Sequence, residues 1–271
     1  MTPHTASHGL LTHERYCAEI VAQTVLLRQH LAGADLSVTV PSCPDWSLRE
    51  LAVHVGGAHR WAATIVRTRA SEEVPDEAVP DFTGPDDEDP AALDAWLAEG
   101  AALLAAELRA AGAGLPVWSW SWQRDAGFWA RRMTHETVIH RADAALAAKA
   151  DYDVAPDVVA DTVEEWLRIV RFAQDTYPED TANELRRGGR SLHLHATDVP
   201  AGGAPAEWFV ELADDGLVWR HEHARADVAL RGPLTALLLA FYRRTSPDDP
   251  ALEVVGDRGL LDFWLERATF G

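Results

Sequence analysis

Among its 271 residues the chain has only two cysteines, Cys17 and Cys43. Neither a disulfide framework nor a cysteine-rich zinc site can be built from them. Lysine is nearly missing as well: Lys149 is the only one, and every other basic residue is arginine. Long apolar runs are lacking. The longest candidate, ALLLAF from Ala236, falls far short of the roughly 18 residues of a membrane span. The opening segment MTPHTASHGLLTHERYC has no apolar core of signal-peptide type. The expectation is a soluble, cytoplasmic protein in a reducing compartment. Positive charge is also in short supply, with 24 basic residues against 43 acidic ones and a net charge of -19. Nucleic acid and anionic membrane both require neutralisation by Lys and Arg, so neither is an expected partner. What remains is apolar content of 47%, near the globular average, and enough length to bury a sizeable core.

The first two-thirds of the chain reads as helix. From Leu11 to Ala32, Ile20, Thr24, Leu27 and Leu31 fall at helical spacing, and Gly33 stops the run. VPSCPDW is a turn-rich connector. SLRE is then a capping box, Ser47 to Glu50, that opens a helix reaching about Arg69. The stretch SEEVPDEAVPDFTGPDDEDP is acidic and proline-rich, and reads as a long solvated loop. Asp89-Pro90 starts a third helix, which ends at Gly112. A fourth is expected from about Asp125 to Ala148 and a fifth from Pro156 to just before Tyr177-Pro178. After Arg190 the period shortens: SLHLHAT, AEWFVEL, LVWRHEH and ADVALRG are strand-like, with ADDG as a hairpin turn. A helix from Pro233 to Arg244, a strand at LEVVG and a helix from about Asp257 complete the pattern. The fold class is therefore α plus α+β: a helical bundle over residues 1–180 followed by a small α+β domain over 188–271.

Chemistry concentrates on the fourth helix. Glu136 and His140 lie four apart, about 400° of helical turn, so their side chains leave one face about a turn apart. That spacing suits two ligands of one metal. In HETVIH the two histidines are five apart and diverge by about 140°, which rules out the zinc-protease motif with its four-residue separation. A third ligand must come from another helix. His54 is the candidate, because Leu51, Val55 and Ala58 line the same apolar face and a buried imidazole needs a partner. Two histidines and a carboxylate leave a metal position open, as in catalytic zinc sites. By spacing alone, such a Glu and His four apart are more often an ion pair on a helix surface or a core histidine with its partner than two ligands of a metal.

VPSCPDWSLRELAVHVGGAHRWA and FWARRMTHETVIHRADA resemble the two signatures of the mycothiol-dependent maleylpyruvate isomerase family. ADVALRGPLTALLLAFYRR followed by LEVVGDRGLLDFW resembles that family's C-terminal domain, which is related to sterol-carrier-like folds. The resemblance runs from about Leu11 to the end of the chain. It implies a DinB-like four-helix bundle and a divalent metal, usually zinc, on His54, Glu136 and His140. It also implies a small-thiol cosubstrate, mycothiol in actinobacteria, and an electrophilic small-molecule substrate. An arginine of the C-terminal domain assists catalysis in the isomerase. Arg244 is the match by its place after the LLLAFY helix, with Arg243 beside it in the FYRR run. A free thiol has a pKa near 8.5 and is mostly protonated at neutral pH; zinc coordination deprotonates it. The thiolate can add to an activated double bond, permit rotation and leave, as an isomerase requires. It can instead stay on the electrophile, as an S-transferase requires. Two alternatives stand beside this reading: a metal-dependent hydrolase that activates water, and a binding module without chemistry.

Several other residues are candidates for the same roles. His193 and His195 share one face of a strand, but no third ligand is placed beside them, so a solvated strand face is expected. His221, Glu222 and His223 are expected to be solvated too. His59, five residues from His54, and Asp143, a turn after His140, are expected at the surface, although Asp143 could also orient a ligand histidine. Arg131 and Arg132 are expected as ion-pair partners near Glu136. Trp118, Trp120 and Trp122 either wall a pocket or close the bundle.

Overall fold

A computed structural model describes residues 11–85, 89–200 and 203–269. The chain divides into two compact units, Met1–Tyr152 and Asp153–Gly271. Among the described residues no helix is long and apolar enough to cross a membrane.

The first unit holds four long helices: α1 (His13–Leu31), α2 (Leu48–Thr68), α3 (Pro90–Ala111) and α4 (Ala126–Ala148). Each starts at a residue whose side chain accepts a hydrogen bond from the first turn: Thr12, Ser47, Asp89 and Asp125. These caps satisfy backbone N–H groups that the helix itself leaves free. The Ser47/Glu50 capping box forms in both directions. One core cluster gathers Leu27, Leu48, Leu51, Val55, Leu93, Leu97 and Ala144. The other gathers Ile20, Ile65, Leu104, Leu108 and Trp129. Gly56 is required where α2 meets α3, because a Cβ there would run into the Trp96 ring.

The tryptophan run closes the bundle. Trp118 stacks on Trp129 at 6.2 Å between ring centroids, while Trp120 and Trp122 stand edge-on to Phe128. The acidic loop is better anchored than its composition suggests. The Trp61 indole donates to the Val74 carbonyl and the Trp96 indole to that of Asp81, and Val79 is buried. The connector VPSCPDW also has structure of its own. It forms a small antiparallel hairpin, β1 (Thr39–Val40) and β2 (Cys43–Ser47), turning at Pro41-Ser42.

The second unit begins with α5 (Pro156–Thr176), which corrects the boundary expected at residue 180. The polar groups of α5 find their partners in the C-terminal part of the chain. Glu164 accepts the indole N–H groups of Trp208 and Trp219 at 2.9 Å each. Gln174 accepts the Leu217 N–H, and the Thr162 carbonyl accepts the Tyr242 hydroxyl. The strands are β3 (Arg190–Ala196), β4 (Glu207–Ala213), β5 (Gly216–Arg220), β6 (Val228–Gly232) and β7 (Glu253–Gly256). Helices α6 (Leu234–Phe241) and α7 (Arg258–Arg267) come after β6 and β7. The sheet order is β5-β4-β3-β6-β7, with β3 and β6 parallel and the other pairs antiparallel. The α plus α+β class holds. LVWRHEH is strand only as far as Arg220, and the helix expected to reach Arg244 ends at Phe241.

Candidate metal centre

Helix α4 is buried around nearly its whole circumference, including Arg131, Arg132, His135, His140, Arg141 and Asp143. A helix buried with that many polar groups must pair them internally, since each orphan would cost about 1–3 kcal/mol. The pairing is densest at the position flagged by the sequence. His54 Nε2 on α2 and His140 Nε2 on α4 each lie 3.0 Å from the same oxygen, Glu136 Oε1. The two imidazole rings meet edge to face at 4.9 Å. One ligand atom from each of the three residues falls within 4.8 Å of the others. The second carboxylate oxygen, Oε2, is occupied by the Arg132 guanidinium at 2.8 Å. Oε1 is thereby left for the two histidines.

Burial alone would raise the Glu136 pKa, but His140 and Arg132 outweigh it and hold the carboxyl well below the usual range. Burial likewise pushes the His140 imidazole down, and Glu136 and Asp143 reverse it, raising its pKa to about 9. Without a metal the cluster is therefore knit by ionic hydrogen bonds. The donor set of two imidazole nitrogens and one carboxylate oxygen fits a borderline divalent ion such as zinc, nickel or iron.

Asp143 is fully buried, not at the surface. Its Oδ2 lies 2.9 Å from His140 Nδ1, and its Oδ1 accepts the Ser42 hydroxyl at 2.5 Å. Cys43 Sγ stands 3.8 Å from Oδ2. The turn of the β1–β2 hairpin thus grips Asp143, which in turn fixes the proton on His140 Nδ1 and turns Nε2 toward Glu136. Such carboxylate–histidine pairs set the tautomer of a ligand and raise its basicity. Asp143→Asn is expected to weaken zinc binding about 10–100-fold and, because it removes the ionic hydrogen bond to His140, to lower the melting temperature of the metal-free protein. Competition with a chromophoric chelator measures the binding; unchanged affinity would remove Asp143 from the site.

The same hairpin brings Trp46, whose ring lies 4.7 Å from that of His54 and 5.9 Å from that of His140. Sequence reasoning did not single it out, because its role depends on how the hairpin folds back. His59 is also fully buried, against the surface expectation. Its Nε2 pairs with the Thr137 hydroxyl at 2.8 Å, and burial depresses its pKa to about 4, so it stays neutral. Arg244 belongs to the second unit, where its guanidinium donates to the Tyr242 carbonyl. Arg243 beside it takes the positive-φ position that ends α6, with a φ of 62°. His221 pairs with the buried Glu164, while His193, His195 and His223 converge on Glu207. His193 is buried and His195 half-buried, against expectation, whereas His221 and His223 are exposed as expected but carry carboxylate partners.

The family described as "Mycothiol maleylpyruvate isomerase N-terminal domain" matches residues 17–145, and "MDMPI C-terminal domain" matches 153–263. The chain belongs to this enzyme family. Two solved structures of mycothiol-dependent maleylpyruvate isomerase share its fold. One, a histidine-to-alanine mutant, is 14% identical with a TM-score of 0.58; the other is 15% identical with a TM-score of 0.57. Each match covers 90% of this chain and 93% of the other. No curated protein matches the sequence. Within the mycothiol-dependent maleylpyruvate isomerase family, His54, Glu136 and His140 all lie inside the matched N-terminal domain.

Proposed function

We propose that this protein is a metal-dependent enzyme that uses mycothiol, or a closely similar small thiol, either to isomerise an electrophilic small molecule or to transfer the thiol onto it. The observation that carries this reading is the convergence of His54, Glu136 and His140 on one point of the family's N-terminal domain. These three residues would hold the ion, with zinc the best fit to the donor set. When bound, it supplies the Lewis acidity that keeps a thiol in its nucleophilic thiolate form at neutral pH.

The residues around it do the rest. Asp143 keeps a proton on His140 Nδ1, so that Nε2 presents its lone pair. Arg132 neutralises the outer oxygen of Glu136 and keeps that carboxylate ionised and oriented. Trp46 gives the histidines an apolar wall that excludes water from one side. Arg244 is carried over, on family resemblance alone, as the arginine that assists catalysis. The protein is placed in the cytoplasm, where thiols stay reduced.

Turnover of maleylpyruvate, or of a simple electrophile such as a haloaromatic, by zinc-loaded protein tests the reading. Activity is expected only with the thiol present. Thiol recovered intact identifies an isomerase; thiol consumed one for one with the electrophile identifies an S-transferase. Ester or amide hydrolysis at equal rate without thiol would overturn the proposal in favour of a water-activating hydrolase.

A further inference from the structure

The sheet of the second unit carries another convergence of ligand-type side chains. His193 and His195 are two apart on β3 and therefore share one face. The antiparallel register sets Glu207, the first residue of β4, directly opposite His195. Cross-strand partners project to the same side, so Glu207 joins the two histidines. His223, from the segment after β5, completes the group. The three imidazoles stand 5.2–5.6 Å apart, centroid to centroid.

All three aim at a single atom, Glu207 Oε2. His223 Nδ1 lies at 2.7 Å, His193 Nε2 at 3.0 Å and His195 Nδ1 at 3.3 Å. A carboxylate oxygen has two lone-pair directions, so it serves two of these nitrogens well and not the third. His195 Nδ1 is shielded from solvent and makes no well-directed hydrogen bond. Three nitrogens crowded on one oxygen are poorly matched as hydrogen-bond partners, but they are well matched as a ligand set.

We infer that His193, His195, Glu207 and His223 form a second binding site for a divalent transition-metal ion, independent of the one on the helical bundle. One ligand atom from each residue already lies within 4.8 Å of the others. Around a tetrahedral zinc with bonds of about 2.0–2.1 Å, ligand atoms stand roughly 3.4 Å apart. The set therefore has to contract by at most about 1.4 Å at any one separation. His223, with 74% of its side chain exposed, is free to supply the movement. The cluster opens into a cleft of about 550 Å³ also lined by Arg225, Asp227, Arg231 and Val255. An ion held by the four side chains is thus reachable from solvent, and a small anion could approach it past the arginines. Three imidazoles and one carboxylate select zinc, cobalt or nickel over magnesium or calcium.

The test is a binding stoichiometry with Zn²⁺ on the full chain, by equilibrium dialysis in metal-scrubbed buffer and metal mass spectrometry. Wild type is expected to bind two ions and the His54→Ala/His140→Ala variant one. The His193→Ala/His223→Ala variant is also expected to bind one, and the quadruple variant none. Co²⁺ added to His54→Ala/His140→Ala should give the visible d–d absorption of a four-coordinate, nitrogen-rich site. That band should be lost in a further Glu207→Gln variant, which keeps the side-chain shape. A second ion whose retention is unchanged by His193→Ala/His223→Ala in a folded protein would overturn the inference. So would a His54→Ala/His140→Ala protein that binds no Zn²⁺ and gives no cobalt band. Because the first site is deleted in that background, failure here is distinguishable from failure of the thiol-dependent reading.

Discussion

His54→Ala is expected to leave the protein folded, strip its bundle site of zinc and lower thiol-dependent turnover by about 10³-fold or more. The size comes from the charge stabilisation a Lewis-acidic ion supplies, several kcal/mol, at about 1.4 kcal/mol per factor of ten. His54 is the cleanest of the three ligands to remove. Its side chain is 37% exposed, against 11% for His140, so alanine leaves little cavity. Deleting His140 also takes an ionic hydrogen-bond partner from the buried Asp143. His140→Ala should therefore lose activity and stability together, while His54→Ala should lose activity alone. Metal content by mass spectrometry, melting temperature and turnover with thiol, measured on both variants beside wild type, separate these effects. Wild-type turnover by a His54→Ala protein with an empty bundle site would end the metal reading of that site.

Zinc binding at the bundle site should tighten with rising pH, about tenfold per unit between pH 7 and 9, and then level off. In the metal-free protein the Glu136 and Asp143 carboxylates outweigh burial and hold the His140 pKa at about 9. At pH 7 the ion must displace that proton from Nε2, so binding releases about one proton and competes with it. Calorimetric titration in buffers of different ionisation enthalpy counts the proton directly, using the His193→Ala/His223→Ala background to isolate the site. The metal-free protein should respond in the opposite sense. A histidine whose folded pKa is raised contributes stability that is complete below about pH 6.5 and lost as the pH climbs through 9. The pKa of His221, raised by Glu164, adds to the same slope from the other unit. Melting temperature should thus fall from pH 6.5 to 9 without zinc and fall less with it. Affinity that does not change across this range would mean that His140 is neutral in the free protein and that its ion pair with Glu136 is wrongly assigned.

Much of the fold is legible in the sequence. Helix starts declare themselves chemically: Ser47 with Glu50, Asp89 with Pro90, and Asp125 all carry side chains that bond the first-turn amides. Helix ends were harder to read. Arg69, Lys149 and Arg243 occupy positive-φ positions normally given to glycine. Backbone bonds to Ile65, Ala145 and Leu239 close each of these ends, and nothing in the residue type announces them. The hairpin around Pro41-Ser42 was missed because its two prolines and short strands lack the alternation by which strands are recognised.

The sequence by itself determined the helical and strand periods, the family resemblance and the pairing of Glu136 with His140, because these depend on spacing along one element. Only the tertiary structure decided what lies beside them. Asp143 became a buried orienting group once the hairpin brought Ser42 and Cys43 to it. His59 became a neutral core residue once Thr137 faced it. Helix α5 went to the second unit because Glu164 meets Trp208 and Trp219 there. His193 and His195 gained Glu207 and His223 through strand register and the return of the chain after β5. In each case the deciding partner is remote in sequence, and the cost of leaving a buried polar group unpaired is met by a residue that no local pattern names.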